Sequence, residues 1–86
     1  MKVHVRYFAS LREALGPGET VELPEASGLA TLGALRDGLV ARGGRYAEVL
    51  ARGRAVRCAL NQVMSDEAAV VRDGAEVAFF PPVTGG

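Results

Sequence analysis

A single amphipathic helix set among short alternating stretches is what most limits the architecture open to this chain. From residue 31 to 42, Leu32, Leu35, Leu39 and Val40 recur at spacings of three, four and one, which places them on one helical face. Thr31 stands where an N-cap belongs, and Gly43-Gly44 ends the segment. Gly33 and Gly38 each cost about 0.5–1 kcal/mol relative to alanine inside a helix. Packing rather than intrinsic propensity must therefore hold it.

The cover for that apolar face has to come from strands. Residues 2–8 alternate, with Val3, Val5 and Tyr7 on one face and His4, Arg6 and Phe8 on the other. Ser10 and Glu13 have capping-box spacing, and Gly16-Pro17 follows, which predicts a short helix over 11–15 with Ser10 as its cap. Residues 20–23 before Pro24 read as a second strand pairing with the first as a hairpin. A further helical turn is expected over 46–50. A third strand over 55–60 turns Val56, Cys58 and Leu60 inward and Arg57 and Ala59 outward. Val63-Met64 forms a short extended piece, and Asp73-Gly74 turns the chain into a last strand over 76–80. The expected class is α+β: a mixed sheet packed on one face against one principal helix.

Eighty-six residues suit one domain, which buries only about 60–65% of the surface its unfolded chain exposes. The division expected is a folded body over 1–80 and an extended tail over 81–86. Ten basic and ten acidic residues balance to zero net charge without a basic run, which argues against nucleic acid as a partner. The basic set is nine arginines and one lysine, Lys2. The start MKVHVRYF lacks a signal-peptide pattern, and no apolar run approaches the ~20 residues that span a bilayer. With a single cysteine, no internal disulfide is possible, and a cytoplasmic protein without membrane attachment is expected.

Familiar catalytic constellations are missing. His4, the one histidine, has no companion at ligand spacing and reads as a solvated strand residue, so no metal is expected. Ser10, His4 and Asp37 lack the spacing of a nucleophilic triad. Cys58 shares the alternation of Val56 and Leu60 and reads as a small buried hydrophobe rather than a reactive thiol. The glycines form neither a GxGxxG nor a GxxxxGK pattern, so no bound cofactor is expected.

The aromatic residues and the final segment say more. Phe79 and Phe80 are adjacent on a strand and must face opposite ways. With Val77 and Phe79 on the helix side, Phe80 emerges on the far side, where outward Phe8 extends an apolar patch and Met64 is available to enlarge it. Beyond Phe80, two prolines hold the backbone extended, and Gly85-Gly86 carries no side chain to obstruct a narrow channel. A carboxylate on so slim an arm is a chemical handle; the competing reading is a frayed, inert terminus.

The segments VRYFASLREALG, TLGALRDGL, ALNQ and DGAEVAFFPPVTGG together resemble the small subunit family of molybdopterin synthase, ubiquitin-like sulfur carriers, nearly end to end. The resemblance implies a β-grasp fold. It implies that the Gly86 carboxylate is adenylated by an E1-like activating enzyme using ATP, converted to a thiocarboxylate by a sulfur donor protein, and delivered into a large catalytic subunit. There it donates sulfur to a pterin precursor in molybdenum cofactor biosynthesis. Val83, Thr84 and Gly85 would hold the tail in register, and Phe8, Arg12, Met64 and Phe80 match positions expected at the partner interfaces. The chain would be non-catalytic alone, with acid and base groups supplied by the large subunit in a heteromeric complex. The region between Gly43 and Arg54 matches less distinctly. Competing readings are a carrier for thiamine or tRNA thiolation, a ubiquitin-like modifier joined to lysines through Gly86, and a plain interaction domain.

Overall fold

The structure, a computed structural model, describes residues 1–23 and 30–82. Elements follow in the order β1 (Lys2–Tyr7), α1 (Ala9–Leu15), β2 (Gly18–Glu22), β3 (Ala30–Thr31), α2 (Leu32–Val40), α3 (Gly44–Leu50), β4 (Arg57–Leu60), β5 (Val63–Ser65), β6 (Val70–Val71) and β7 (Glu76–Phe80). Five strands form one sheet in the order β2-β1-β7-β4-β5. The first and last strands of the chain, β1 and β7, lie parallel at its centre, and the other pairs are antiparallel. One face of this mixed sheet closes over the helices, giving the β-grasp arrangement of an α+β fold.

Alternation decides which side chains meet α2. Val3, Val5 and Tyr7 from β1, Val77 and Phe79 from β7, and Cys58 from β4 join Leu32, Leu35 and Leu39 from α2 in one buried core. Tyr7 and Phe79 are register partners whose rings stack with centroids 6.5 Å apart. Val40, the fourth member of the helical stripe, is only half-buried at the helix end. Thr31 caps α2 as its position suggests, its Oγ1 accepting from the Ala34 amide at 3.1 Å.

Several local expectations fail for tertiary reasons. Ser10 does not cap α1: the N-cap is Phe8, with no side-chain cap bond, and the Phe8 carbonyl accepts from the Leu11 and Arg12 amides. The chain swings from strand to helix immediately after Phe8, with Ala9 at φ +52°, so Ser10 falls inside the first turn. Ala59 faces outward yet is 8% exposed, because its methyl lies in the middle of the sheet between Met64 and Ala78. A two-stranded antiparallel ribbon, β3 with β6, was not expected; two-residue strands carry no readable alternation. Gly18 earns its place at the hairpin, where a Cβ would lie 2.5 Å from the Val5 carbonyl oxygen. Pro24, expected to end β2, lies outside the described residues.

Candidate functional site: the outer sheet face and the root of the tail

The sheet face turned away from the helices carries the groups that the sequence singles out. On β7, Val77 and Phe79 go inward, leaving Glu76, Ala78 and the half-buried Phe80 on the outer side. Register sets Ala78 between Arg6 on β1 and Ala59 on β4, and Ala59 beside Met64 on β5. Phe80, the last residue of β7, pairs with Arg57. The small Ala78 on a face bordered by larger side chains leaves a depression: a hollow of about 290 Å³ is lined by Arg6, Phe8, Gln62, Glu76 and Ala78.

Phe8 and Met64 are the exposed members, at 39% and 58%. Arg6 holds Phe8 on this face, its guanidinium 5.6 Å from the ring centroid, while its Nη1 is 3.6 Å from Glu76 Oε1. The Phe8 amide donates to the Phe79 carbonyl at 3.1 Å, which brings Phe8 to the same end of the sheet as Phe80. Arg12 is exposed on α1, a turn beyond Phe8. Structure thus collects Phe8, Met64 and Phe80 on one side, with Arg12 at the tail end, around the point where Pro81 leaves the sheet. The remaining site residues of the sequence reading, Val83, Thr84, Gly85 and Gly86, lie outside the described residues.

The other candidates fall into structural roles. His4 is exposed on β1, its Nδ1 3.3 Å from Thr20 Oγ1. Cys58 is buried, its thiol donates to the Ser65 carbonyl at 3.3 Å, and burial, aided by the Glu67 charge, pushes its pKa up. Among the described residues, no three His, Cys, Asp or Glu side chains gather as a metal site requires.

Two polar clusters were missed by sequence reasoning. Glu19 on β2 accepts from the Tyr7 hydroxyl at 2.9 Å, the Tyr46 hydroxyl at 2.7 Å and Arg42 Nη1 at 2.6 Å. Burial disfavours its carboxylate, but these three donors outweigh burial and hold its pKa below the ordinary value. Arg36, 4% exposed on α2, donates from Nε to the Leu50 carbonyl and from Nη2 to those of Ala51 and Arg54, while Nη1 pairs with Glu67 at 2.9 Å. Arg52 adds a second ion pair to Glu67 and a forked one to Asp37. The clusters bind α2, α3 and the following loop to the sheet; the one hint in sequence was an arginine beside Leu35 in the helix.

A parallel pair at the centre of a mixed five-stranded sheet, packed on one face against a principal helix, defines a ubiquitin-like β-grasp protein. The chain belongs to the ThiS family, which matches residues 5–86. It is 37% identical over 84 residues to a molybdopterin synthase sulfur carrier subunit of Haemophilus influenzae, across 98% of this chain and 99% of that protein. Among solved structures, it resembles the small archaeal modifier protein 1 of Haloferax volcanii, with TM-score 0.76, 25% identity, and 95% and 98% of the two chains covered. It also resembles a chain in the complex of subunits 1 and 2 of the molybdopterin-converting factor from Helicobacter pylori, with TM-score 0.68, 25% identity and both chains covered in full.

Proposed function

We propose that this chain is the sulfur carrier of molybdopterin synthase, with the carboxylate of Gly86 as the reacting group. The observation that carries the reading is the end-to-end kinship with a molybdopterin synthase sulfur carrier subunit, in a family match that runs through Gly85-Gly86. A carboxylate is a poor electrophile. Adenylation by an E1-like enzyme with ATP gives it a good leaving group, and a sulfur donor then replaces AMP to form the thiocarboxylate. Val83, Thr84 and Gly85 position this group within the large subunit, whose own residues supply acid and base chemistry; holding the sulfur against the pterin precursor is catalysis by proximity.

The outer sheet face is the docking surface in this reading. Phe8, Met64 and Phe80 supply apolar contact and Arg12 a cation at its edge, and the Helicobacter pylori complex offers the precedent of a chain of this fold joined to a second subunit. Incubation with the activating enzyme, ATP and a sulfur source, followed by intact-mass measurement, tests the reading. The expected product is heavier by the difference between one sulfur and one oxygen. Restoration of dithiolene synthesis with the large subunit assigns the pathway; failure there with a thiocarboxylated chain favours a carrier for thiamine or tRNA thiolation. The likeness to an archaeal modifier protein supports a second reading, conjugation to target lysines, for which Gly86-dependent high-mass adducts are the signature.

A further inference from the structure

Left-handed backbone at a residue with a side chain is uncommon and concentrates at turns and functional sites; here it gathers around the outer-face hollow. Among the described residues, the non-glycine positions with positive φ are Ala9 at +52°, Asn61 at +49° and Gln62 at +70°. Ala9 follows Phe8 at one end of the hollow, and Gln62 lines the other end beside Glu76. Asn61 and Gln62 form the two-residue connection between β4 and β5, where Leu60 pairs with Val63. Positive φ at both positions is the type I′ pattern, which Asn-Gly suits best. Asn61 fits: its amide donates to the Glu76 carbonyl at 2.8 Å, and its Oδ1 accepts from the Glu76 amide at 3.0 Å. Gln62 stands where the turn favours glycine, and it is exposed. Its carboxamide has no hydrogen-bond partner among the described residues.

We infer that Gln62 is a recognition residue for the large subunit: at the rim of the hollow, its carboxamide hydrogen-bonds a peptide group of that partner, whose adjacent apolar side chain enters the hollow. The inference rests on the sulfur-carrier reading. The lining selects this occupant. Ala78 is small and Phe8 supplies an apolar wall, so an uncharged side chain suits the space between them. The two charges there, Arg6 and Glu76, stand 3.6 Å apart and offset one another, which leaves the carboxamide as the neutral polar group of the lining. A carboxamide offers donor and acceptor together, the complement of a peptide C=O and N–H. The hollow is also continuous with exposed Phe8, on the face that docks the large subunit in that reading. Gln62 thus contributes nothing to its own turn that glycine would not, and its side chain acts through contact.

The test measures two quantities on the full chain: urea unfolding, and binding to the large subunit by calorimetry. Gln62→Gly removes the carboxamide and relaxes the turn, so the unfolding midpoint should rise while affinity falls about three- to tenfold. Gln62→Ala keeps the left-handed conformation at a residue with a Cβ, so it should lose similar affinity with a midpoint close to wild type. Opposite signs in the glycine variant separate recognition from a structural role, which would lower stability and binding together. Val63→Ala, next along the same hairpin and facing the other way, should bind as wild type. The inference is overturned if Gln62→Gly and Gln62→Ala bind the large subunit as tightly as wild type, if Val63→Ala loses as much, or if the loss appears only with the activating enzyme. Absence of binding between the wild-type chain and the large subunit overturns the sulfur-carrier reading and the inference together.

Discussion

Glu19 shows how one residue ties the sheet to the helices. Its carboxylate takes three hydrogen bonds from Tyr7, Tyr46 and Arg42, which lie on β1, on α3 and just after α2. Because its folded pKa is lowered, the stabilisation is fully present above the carboxyl's unfolded value and is lost as pH falls through the folded one. Tyr7 works at the other limit: burial, then the Glu19 bond, raises its pKa, so its contribution is present below the unfolded phenol value and is lost as pH rises through the folded one. Glu19→Gln is expected to cost about 1–3 kcal/mol at neutral pH, since charge-assisted bonds are replaced by weaker ones around buried hydroxyls. Urea unfolding across pH 3–7 checks both parts: the variant should lose stability at neutral pH and show a flatter acid limb. An unchanged acid limb would show that the carboxylate carries no such linkage.

At the scale of elements, β7 divides core from contact surface. Phe79 is 1% exposed against α-helical and sheet neighbours, while Phe80 sits half-buried on the outer face. Phe79→Ala should cost about 3–5 kcal/mol in denaturant unfolding. Phe80→Ala should cost less than half as much, yet weaken binding to the large subunit about tenfold or more by calorimetry; a core-sized stability loss would contradict its placement. The two-residue alternation made this division legible in the sequence. Strand β7, cap Thr31 and the Leu32-Leu35-Leu39 stripe were readable for the same reason, each being a local pattern. Ser10 misled because its spacing to Glu13 is a local signal, whereas the start of α1 is set by where Phe8 leaves the edge of β1. Arg36 was unreadable as a buried residue because its acceptors, the carbonyls of Leu50, Ala51 and Arg54 and the Glu67 carboxylate, come from segments 14 or more residues away.

For the whole molecule, reactive end and folded body are expected to be separable. The core is complete by Phe79, and Phe80 is the last residue of the sheet. Removing Gly86, or adding a residue after it, should abolish thiocarboxylate formation and leave thermal unfolding nearly unchanged. A fall of several degrees in Tm would mean that the tail contributes to the fold.

By itself the sequence determined the strand alternation, the principal helix, the inward Cys58 and the outward Phe8, and its segments carried the resemblance to sulfur carriers. These depend on neighbours within a few residues, where periodicity and turn chemistry act. Only the tertiary structure decided that Arg36 and Glu19 are paired and buried or half-buried, and that Ala78 lines a hollow on the outer face. The hollow follows from the parallel pairing of β1 with β7, which joins residues some 72 positions apart, and the two polar clusters from contacts between segments 12 or more residues apart; no local pattern specifies a register between strands at opposite ends of the chain.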